Sequence, residues 1–344
     1  MNKIKIIMMT VVLGMLGFVN NVGAEEVGYS VNTVPSALQQ NKKLSFFDLK
    51  AKPQQTFDLK VKIENKSTEV STFKVAATNA MTSNNGTITY GPTTRKLDQS
   101  MKVPFTSIAK VKHPKVTVPA NTVKTVSMQV TMPKFEFDGM ILGGFYVEKL
   151  TTEDKKTSGY SNQYAYAKGV VIKETDTVVQ PDLEMPVVGI KTDNNMVNVA
   201  GTLRNASMTN IANLDMTASI TKRNSDKVIV SKKVTGYSVA PTTNFDALFQ
   251  YDKQKLPAGK YTFHVHANQT TGKQYKWNLQ KDFVITADEV KPKESRGLAV
   301  VGQRNVLLYV LLGVVAALLV IIIFLLWFFL FYKRRKAKKD ENQG

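Results

Sequence analysis

The sequence predicts an all-β protein: two tandem immunoglobulin-like β-sandwiches followed by one C-terminal transmembrane helix. Two patterns predict the sandwiches. Apolar and polar residues alternate with period two over most of the chain, as strands with one buried and one wet face require. Turn clusters such as Ser83-Asn84-Asn85-Gly86 divide these runs at sandwich spacing. The helix rests on a third observation, the uncharged stretch from Val306 to Tyr332.

Taken in order, residues 1–24 read as a secretory signal peptide: Lys3 and Lys5, an apolar core from Ile6 to Val19, then Val22-Gly23-Ala24 before Glu25-Glu26. The first sandwich spans 25–175. Within it Phe57, Leu59, Val61 and Ile63 alternate with Asp58, Lys60, Lys62 and Glu64, and Val126, Met128, Val130 and Met132 with Thr125, Ser127, Gln129 and Thr131. Further strands are expected at Val70 to Thr78, Gly86 to Tyr90, Leu142 to Leu150 and Tyr164 to Lys173. A polar, proline-bearing junction near Lys173 to Pro186 favours an extended linker.

The second sandwich, 182–287, carries seven candidate strands: Leu183 to Lys191, Met196 to Arg204, Leu214 to Thr221, Lys227 to Val234, Phe245 to Tyr251, Lys260 to Asn268 and Tyr275 to Thr286. Both halves share a strand ending in Asn-x-Ser, at Asn65 and at Asn205. A charged stalk, 288–305, leads to the expected span at 306–332, longer than the roughly 20 residues a bilayer core demands. The tail, 333–344, opens with Lys333, Arg334, Arg335, Lys336, Lys338 and Lys339. Such a cluster stays cytoplasmic, so a single-pass placement in a cell membrane with the sandwiches outside is expected.

Charge and cysteine usage narrow the class. The 344 residues hold 46 Lys plus Arg against 27 Asp plus Glu, and no Cys. Disulfide frameworks, thiolate zinc sites, iron–sulfur clusters and cysteine nucleophiles are therefore excluded. Without the leader and the tail the net charge is still +13, which favours anionic partners such as phosphate-rich wall polymers. An exported chain of this length lacking cysteine points to a bacterial surface.

The search for chemistry returns little. His264 and His266 share one strand face, but Thr262 and Asn268 lie on it too, so it reads as a solvent face rather than a metal site. No nucleophile elbow, P-loop or dinucleotide fingerprint is present. Gly139, Gly143 and Gly144 form a glycine-rich loop without the Lys-Ser/Thr that phosphate cradling needs. The carboxylates Glu136, Asp138, Glu153 and Asp154 lie in polar loops. Phe46, Phe47, Tyr160, Tyr164, Tyr166 and Trp277 are able to stack on sugar rings or to fill cores. No cofactor is expected, and no nucleic-acid partner.

Several local patterns, in order, resemble the WxL-interacting proteins of low-GC Gram-positive bacteria. They are Val31-Asn32-Thr33-Val34-Pro35, Phe47-Asp48-Leu49 with Lys52-Pro53, Glu64-Asn65, and Thr78-Asn79-Ala80 through Asn85-Gly86-Thr87-Ile88-Thr89-Tyr90. Met132-Pro133 to Gly143-Gly144 follows, then Tyr164-Ala165-Tyr166 leading to Pro181-Asp182-Leu183. The resemblance implies a peptidoglycan-binding first domain and a host-protein-binding second domain, working beside secreted WxL-domain surface proteins. Family boundaries assign 160–173 to the second domain, whereas a hairpin with Leu142 to Leu150 assigns it to the first.

The expected function is thus a non-catalytic, membrane-anchored adhesin or scaffold. Its partners would be peptidoglycan or an anionic wall polymer, WxL-domain proteins or host matrix proteins, and the membrane through one helix. An assembly chaperone offering sheet edges, or a wall-active enzyme, are the alternatives. Candidate ligand-binding residues are Phe46, Phe47, Asp48, Gly139, Gly143 and Gly144. Candidate partner-binding residues are His264, His266 and Trp277.

Overall fold

The computed structural model describes residues 28–150, 164–193 and 196–289, with Leu318, Ile321, Phe324, Leu325, Trp327 and Phe328. The expected signal peptide, the stalk beyond Glu289 and the basic tail lie outside the described residues. Among those described, no helix is long and apolar enough to cross a membrane. This corrects the expected transmembrane helix, and with it the single-pass membrane placement. An uncharged run fixes only the low cost of placing side chains in lipid. A span also needs about 20 consecutive helical residues, which an uncharged run does not by itself guarantee.

The all-β character stands. The first sandwich contains β1 Tyr29–Val34, β2 Phe47–Lys50, β3 Thr56–Asn65, β4 Ser71–Asn79, β5 Met81–Thr82 and β6 Ile88–Thr89. It continues with β7 Ala109–Val111, β8 Lys115–Val118, β9 Thr122–Thr131, β10 Ile141–Lys149 and β11 Ala165–Lys173. One sheet runs β1-β3-β9-β7 and the other β2-β11-β10-β4-β8. β11 lies antiparallel to β10, with Gly144 opposite Gly169, and parallel to β2. Hydrogen bonding therefore puts this strand in the first sandwich. The period-two pattern sends Leu59, Val61 and Ile63 into a core with Phe73, Phe145 and Ile172, while Lys60 and Lys62 stay wet.

The second sandwich holds β12 Leu183–Asp193, β13 Met196–Asn205, β14 Ile211–Lys222, β15 Val228–Val239, β16 Thr243–Gln250, β17 Gly259–Gln269 and β18 Lys276–Ile285. Its sheets run β12-β13-β16 and β15-β14-β17-β18 around Leu203, Ile220, Phe245, Phe263 and Val265. The shared Asn-x-Ser pattern has a physical basis. Asn65 is fully buried, accepts from the Ser67 N–H and donates to the carbonyls of Glu69, Val118 and Pro119. Asn205 does the same with the Ser207 N–H and the carbonyls of Thr209 and Ala240. Each amide ties a strand turn to the end of a strand in the facing sheet.

Residues 174–182 connect the sandwiches without helix or strand. The expectation of a plain extended linker misses a second connection, because the β5–β6 hairpin docks on the second sandwich. The Thr82 hydroxyl accepts from the Ala240 N–H at 2.9 Å, Gly86 O from the Ser238 N–H at 2.8 Å, and Asn84 Oδ1 from the Asp246 N–H at 2.8 Å. Arg95 donates to the carbonyls of Thr82 and Asn244. Asp98 accepts from the Asn244 amide at 2.7 Å and lies 3.8 Å from Arg204, whose guanidinium also binds Glu184. Gly86 has φ +75°, and a Cβ there would sit 2.0 Å from the Tyr237 ring, so this approach admits only glycine.

Candidate functional site

The outward face of the β2-β11-β10-β4-β8 sheet carries a strip of small residues, a trough in the side-chain profile that Tyr90 fills. Phe145 and Val147 of β10 point into the core, so Gly144, Tyr146 and Glu148 point out. Register places Thr78 and Gly169 beside Gly144, and Ala76 and Ala167 beside Tyr146. Two adjoining glycines flanked by alanines make a floor with almost no side chain. Tyr90 lies across it: a Cβ on Gly144 would come within 2.9 Å of Tyr90 Cβ, and one on Gly169 within 3.6 Å of Tyr90 Cζ and 3.8 Å of Phe46 Cβ. The Thr78 hydroxyl donates to the Tyr90 carbonyl and fixes that arm.

Phe46, 36% exposed, closes the other end. Its loop is set by Gln39, whose amide donates to the carbonyls of Asn41 and Phe46 at 3.0 and 3.1 Å and whose Oε1 accepts from the Asp48 N–H. Burial raises the Tyr90 phenol above its ordinary pKa. Burial does the same at Tyr146, with the adjacent Glu148 carboxylate adding to it. Both phenols therefore stay neutral hydrogen-bonding groups on flat apolar rings. A pyranose packs its C–H-rich face on such rings, at roughly 25 cal/mol per Å² of apolar area removed from water, while Asp48, Lys74 and Glu148 ring the floor with polar groups.

The sequence candidates divide. Phe46 and Gly144 join the trough, and Asp48 borders it. Phe47 is fully buried in the core, because it alternates inward with Leu49, so its position is structural. Gly143 also faces inward, where a Cβ would strike the Phe105 ring at 2.2 Å. Gly139, φ +92°, sits against the Met208 carbonyl of the second sandwich and serves docking. Tyr166 packs edge-on against buried Tyr29, and Tyr160 lies outside the described residues. Tyr90 and Tyr146 were not singled out from sequence. The signal for Tyr146 was its alternation with buried Phe145 and Val147; for Tyr90 there was none, since its place depends on a loop folding over a distant strand.

In the second sandwich Trp277 and the histidines part company. Trp277 and Leu279 lean toward the core side of β18, and Trp277 stacks on Tyr275 with centroids 6.0 Å apart. Trp277 lines a groove of about 650 Å³ with Asp182 to Met185 of the opposite edge. His264 and His266 occupy the outer face, beside the Thr221 hydroxyl at 3.1 Å and Asn278 Oδ1 at 2.8 Å. β12 and β18 are both edge strands, and β12 carries Pro186 and a register shift between Glu184 and Val187. Such bulges blunt indiscriminate edge pairing. Among the described residues no group of three or more His, Cys, Asp or Glu side chains is placed to hold a metal.

The described residues form tandem sandwiches with an aromatic cluster on a sheet face of the first and an edge groove on the second. Residues 29–149 match the WxL Interacting Protein peptidoglycan binding domain, and residues 155–293 match the WxL Interacting Protein host binding domain. The chain belongs to the WxL-interacting protein family, and its two parts are that family's peptidoglycan-binding and host-binding domains. The second match begins ahead of β11, which pairs with β10 of the first sandwich.

No curated protein matches the chain. Among solved structures, the class 5 fimbriae chaperone CfaA is similar at 15% identity and TM-score 0.28, covering 75% of this chain and 100% of that one. The E. coli chaperone DraB is similar at 14% and 0.28, covering 66% and 92%. A family 123 glycoside hydrolase from Clostridium perfringens is similar at 11% and 0.24, covering 44% and 28%. Likeness at these TM-scores carries no inference about function.

Proposed function

We propose that the chain is a non-catalytic cell-surface scaffold that holds the glycan of peptidoglycan on the Phe46–Tyr90–Tyr146 trough and a protein partner on the second sandwich. The observation that carries the reading is the Gly144–Gly169 register pair, which lets Tyr90 pack directly on the sheet so that it, Phe46 and Tyr146 offer rings on which a flat ligand would rest. Partner binding is assigned to the groove between β12 and β18, where Trp277 supplies a half-exposed aromatic anchor. WxL-domain surface proteins and host matrix proteins are the two partner classes.

Sedimentation of the purified chain with cell-wall sacculi tests the first half. Tyr146→Ala and Phe46→Ala are expected to lower retention about tenfold each, the loss of roughly 1.4 kcal/mol, with circular dichroism unchanged. Full retention by both folded variants would remove the trough from the reading. Trp277→Ala, assayed by surface plasmon resonance against each partner class, tests the second. The open β12 and β18 edges also favour a second reading, an assembly chaperone that pairs with extended segments; it gains if unfolded WxL-domain protein binds more tightly than folded.

A further inference from the structure

A different surface of the first sandwich carries unbalanced charge. Between Asp98 and Glu136 the chain holds Lys102, Lys110, Lys112, Lys115, Lys124 and Lys134 and no acidic residue. The fold concentrates them. β7 is the edge of one sheet and β8 the edge of the other, so Lys110, Lys112 and Lys115 follow one rim of the sandwich from sheet to sheet. Lys115 stands directly opposite Lys74 of β4. All four are exposed.

Like charges directly opposite across a ladder destabilise the pair. No ion pair among the described residues involves Lys74, Lys110, Lys112 or Lys115. Glu148 stands directly opposite Lys74 on the other side and offsets that lysine, so the uncompensated charges are those of Lys110, Lys112 and Lys115. Lys124 donates to the Thr117 carbonyl, and the Thr72 and Thr117 hydroxyls lie 3.3 Å apart between the lysines. The rim is therefore a row of ammonium groups with hydroxyls between them. Lys110 lies on β7, Lys112 in the bend after it and Lys115 at the start of β8, about 4.8 Å across the ladder from Lys74.

We propose that this β7–β8 rim binds a linear phosphodiester polymer of the polyol-phosphate wall type. Charge complementarity carries the assignment: repeated phosphates offset Lys110, Lys112 and Lys115, which enter no ion pair among the described residues. A single-stranded nucleic acid presents similar charge, but its binding sites add aromatic side chains on which bases stack. Lys110, Val111, Lys112, His113, Pro114 and Lys115 include no Phe, Tyr or Trp, and His113 is a single ring rather than a series on which successive bases stack. The rim meets the border of the aromatic trough at Lys74, but Lys110, Lys112 and Lys115 lie beyond it on the sandwich edge, so substituting those three leaves the trough residues in place.

The test is fluorescence anisotropy of the full chain with labelled poly(glycerol phosphate) at 50 and 200 mM salt. The Lys110→Gln/Lys112→Gln/Lys115→Gln variant is expected to bind at least tenfold more weakly. The slope of log affinity against log salt should fall by about 2 to 3, as three fewer phosphates are neutralised. Lys60→Gln/Lys62→Gln/Lys66→Gln removes equal charge elsewhere on the domain and is expected to retain binding. Sacculi stripped of phosphate polymers should be retained equally by wild type and rim variant. Unchanged affinity in the rim variant overturns the proposal, and so does equal weakening in both triple variants, which would leave only net charge. Oligodeoxythymidylate bound as tightly, with the same loss on substitution, would overturn the polymer assignment in favour of a nucleic acid.

Discussion

The hydroxyls of Thr82 and Thr243 lie 2.6 Å apart although 161 positions separate them in sequence, and both residues are fully buried. They join the β5–β6 hairpin of one sandwich to the first residue of β16 in the other. Thr82 also receives the Ala240 N–H, and because the Thr243 hydroxyl donates to the Ala240 carbonyl, the Thr82 hydroxyl donates to Thr243 in a site closed to water.

Thr82→Val keeps the shape and removes the oxygen. It leaves the Ala240 N–H buried without a partner, at a cost of about 1–3 kcal/mol. Urea denaturation is expected to show a lower midpoint and a single transition broadening toward two. An unchanged midpoint would mean that the hydroxyl contributes nothing to holding the two sandwiches together.

The paired amides make a sharper comparison. Asn65→Ala and Asn205→Ala each strip buried carbonyls of their donor, and each is expected to destabilise its own sandwich by about 2–4 kcal/mol. Hydrogen exchange should place the loss of protection in β3, β4 and β8 for the first and in β13 to β15 for the second.

Two carboxyls give stability opposite pH dependences. Burial alone would raise Asp98, but the Ser100 N–H and hydroxyl, the Asn244 amide and Arg204 outweigh it and hold the carboxyl below its ordinary value. Its contribution is present above the unfolded carboxylate pKa, near 4, and is lost as pH falls through the depressed folded value. Burial raises Glu174, opposed by the Phe137 N–H and reinforced by Glu136. Its contribution is present below the unfolded pKa and is lost as pH rises through the raised folded value. In denaturation series from pH 3 to 7, Asp98→Asn should fall progressively behind wild type as pH rises, while Glu174→Gln should gain on it.

Gly144→Ala and Gly169→Ala separate floor from frame. On Gly144 a methyl meets Thr78 Oγ1 at 2.6 Å and the Tyr90 carbonyl at 3.0 Å, and Tyr90 must leave. On Gly169 its nearest contact is 3.6 Å, ordinary packing. Sacculus retention is expected to fall about tenfold for the first and by no more than about twofold for the second. Equal losses would locate the ligand directly over Gly169.

Local alternation carried the strand pattern because each strand reports its own buried face: all seven strands of the second sandwich fall within a few residues of their expected places. The trough was less legible. Phe46 was visible as an aromatic beside a buried strand, but Phe47 is indistinguishable from it until register shows which one alternates with Leu49. Trp277, His264 and His266 are all candidate partner-binding residues in the sequence, yet Trp277 pairs with buried Ala267 while His266 pairs with exposed Asn278, so they face opposite ways. Docking by the β5–β6 hairpin depends on residues about 150 positions apart, for which period-two reading has no signal. The uncharged C-terminal run shows the converse limit, since composition alone does not establish a continuous helix.

The hairpin gives the two sandwiches a second attachment besides residues 174–182. Bodies joined by one thread swivel; bodies joined at two separate points keep one bearing. A wall strand held by the first sandwich and a protein held by the second are thereby presented at a set spacing and angle. Whether one captured ligand raises the local concentration of the other becomes a question of fit. A pair of ligands matching that bearing gains the full advantage of tethering, and a pair that does not match gains none.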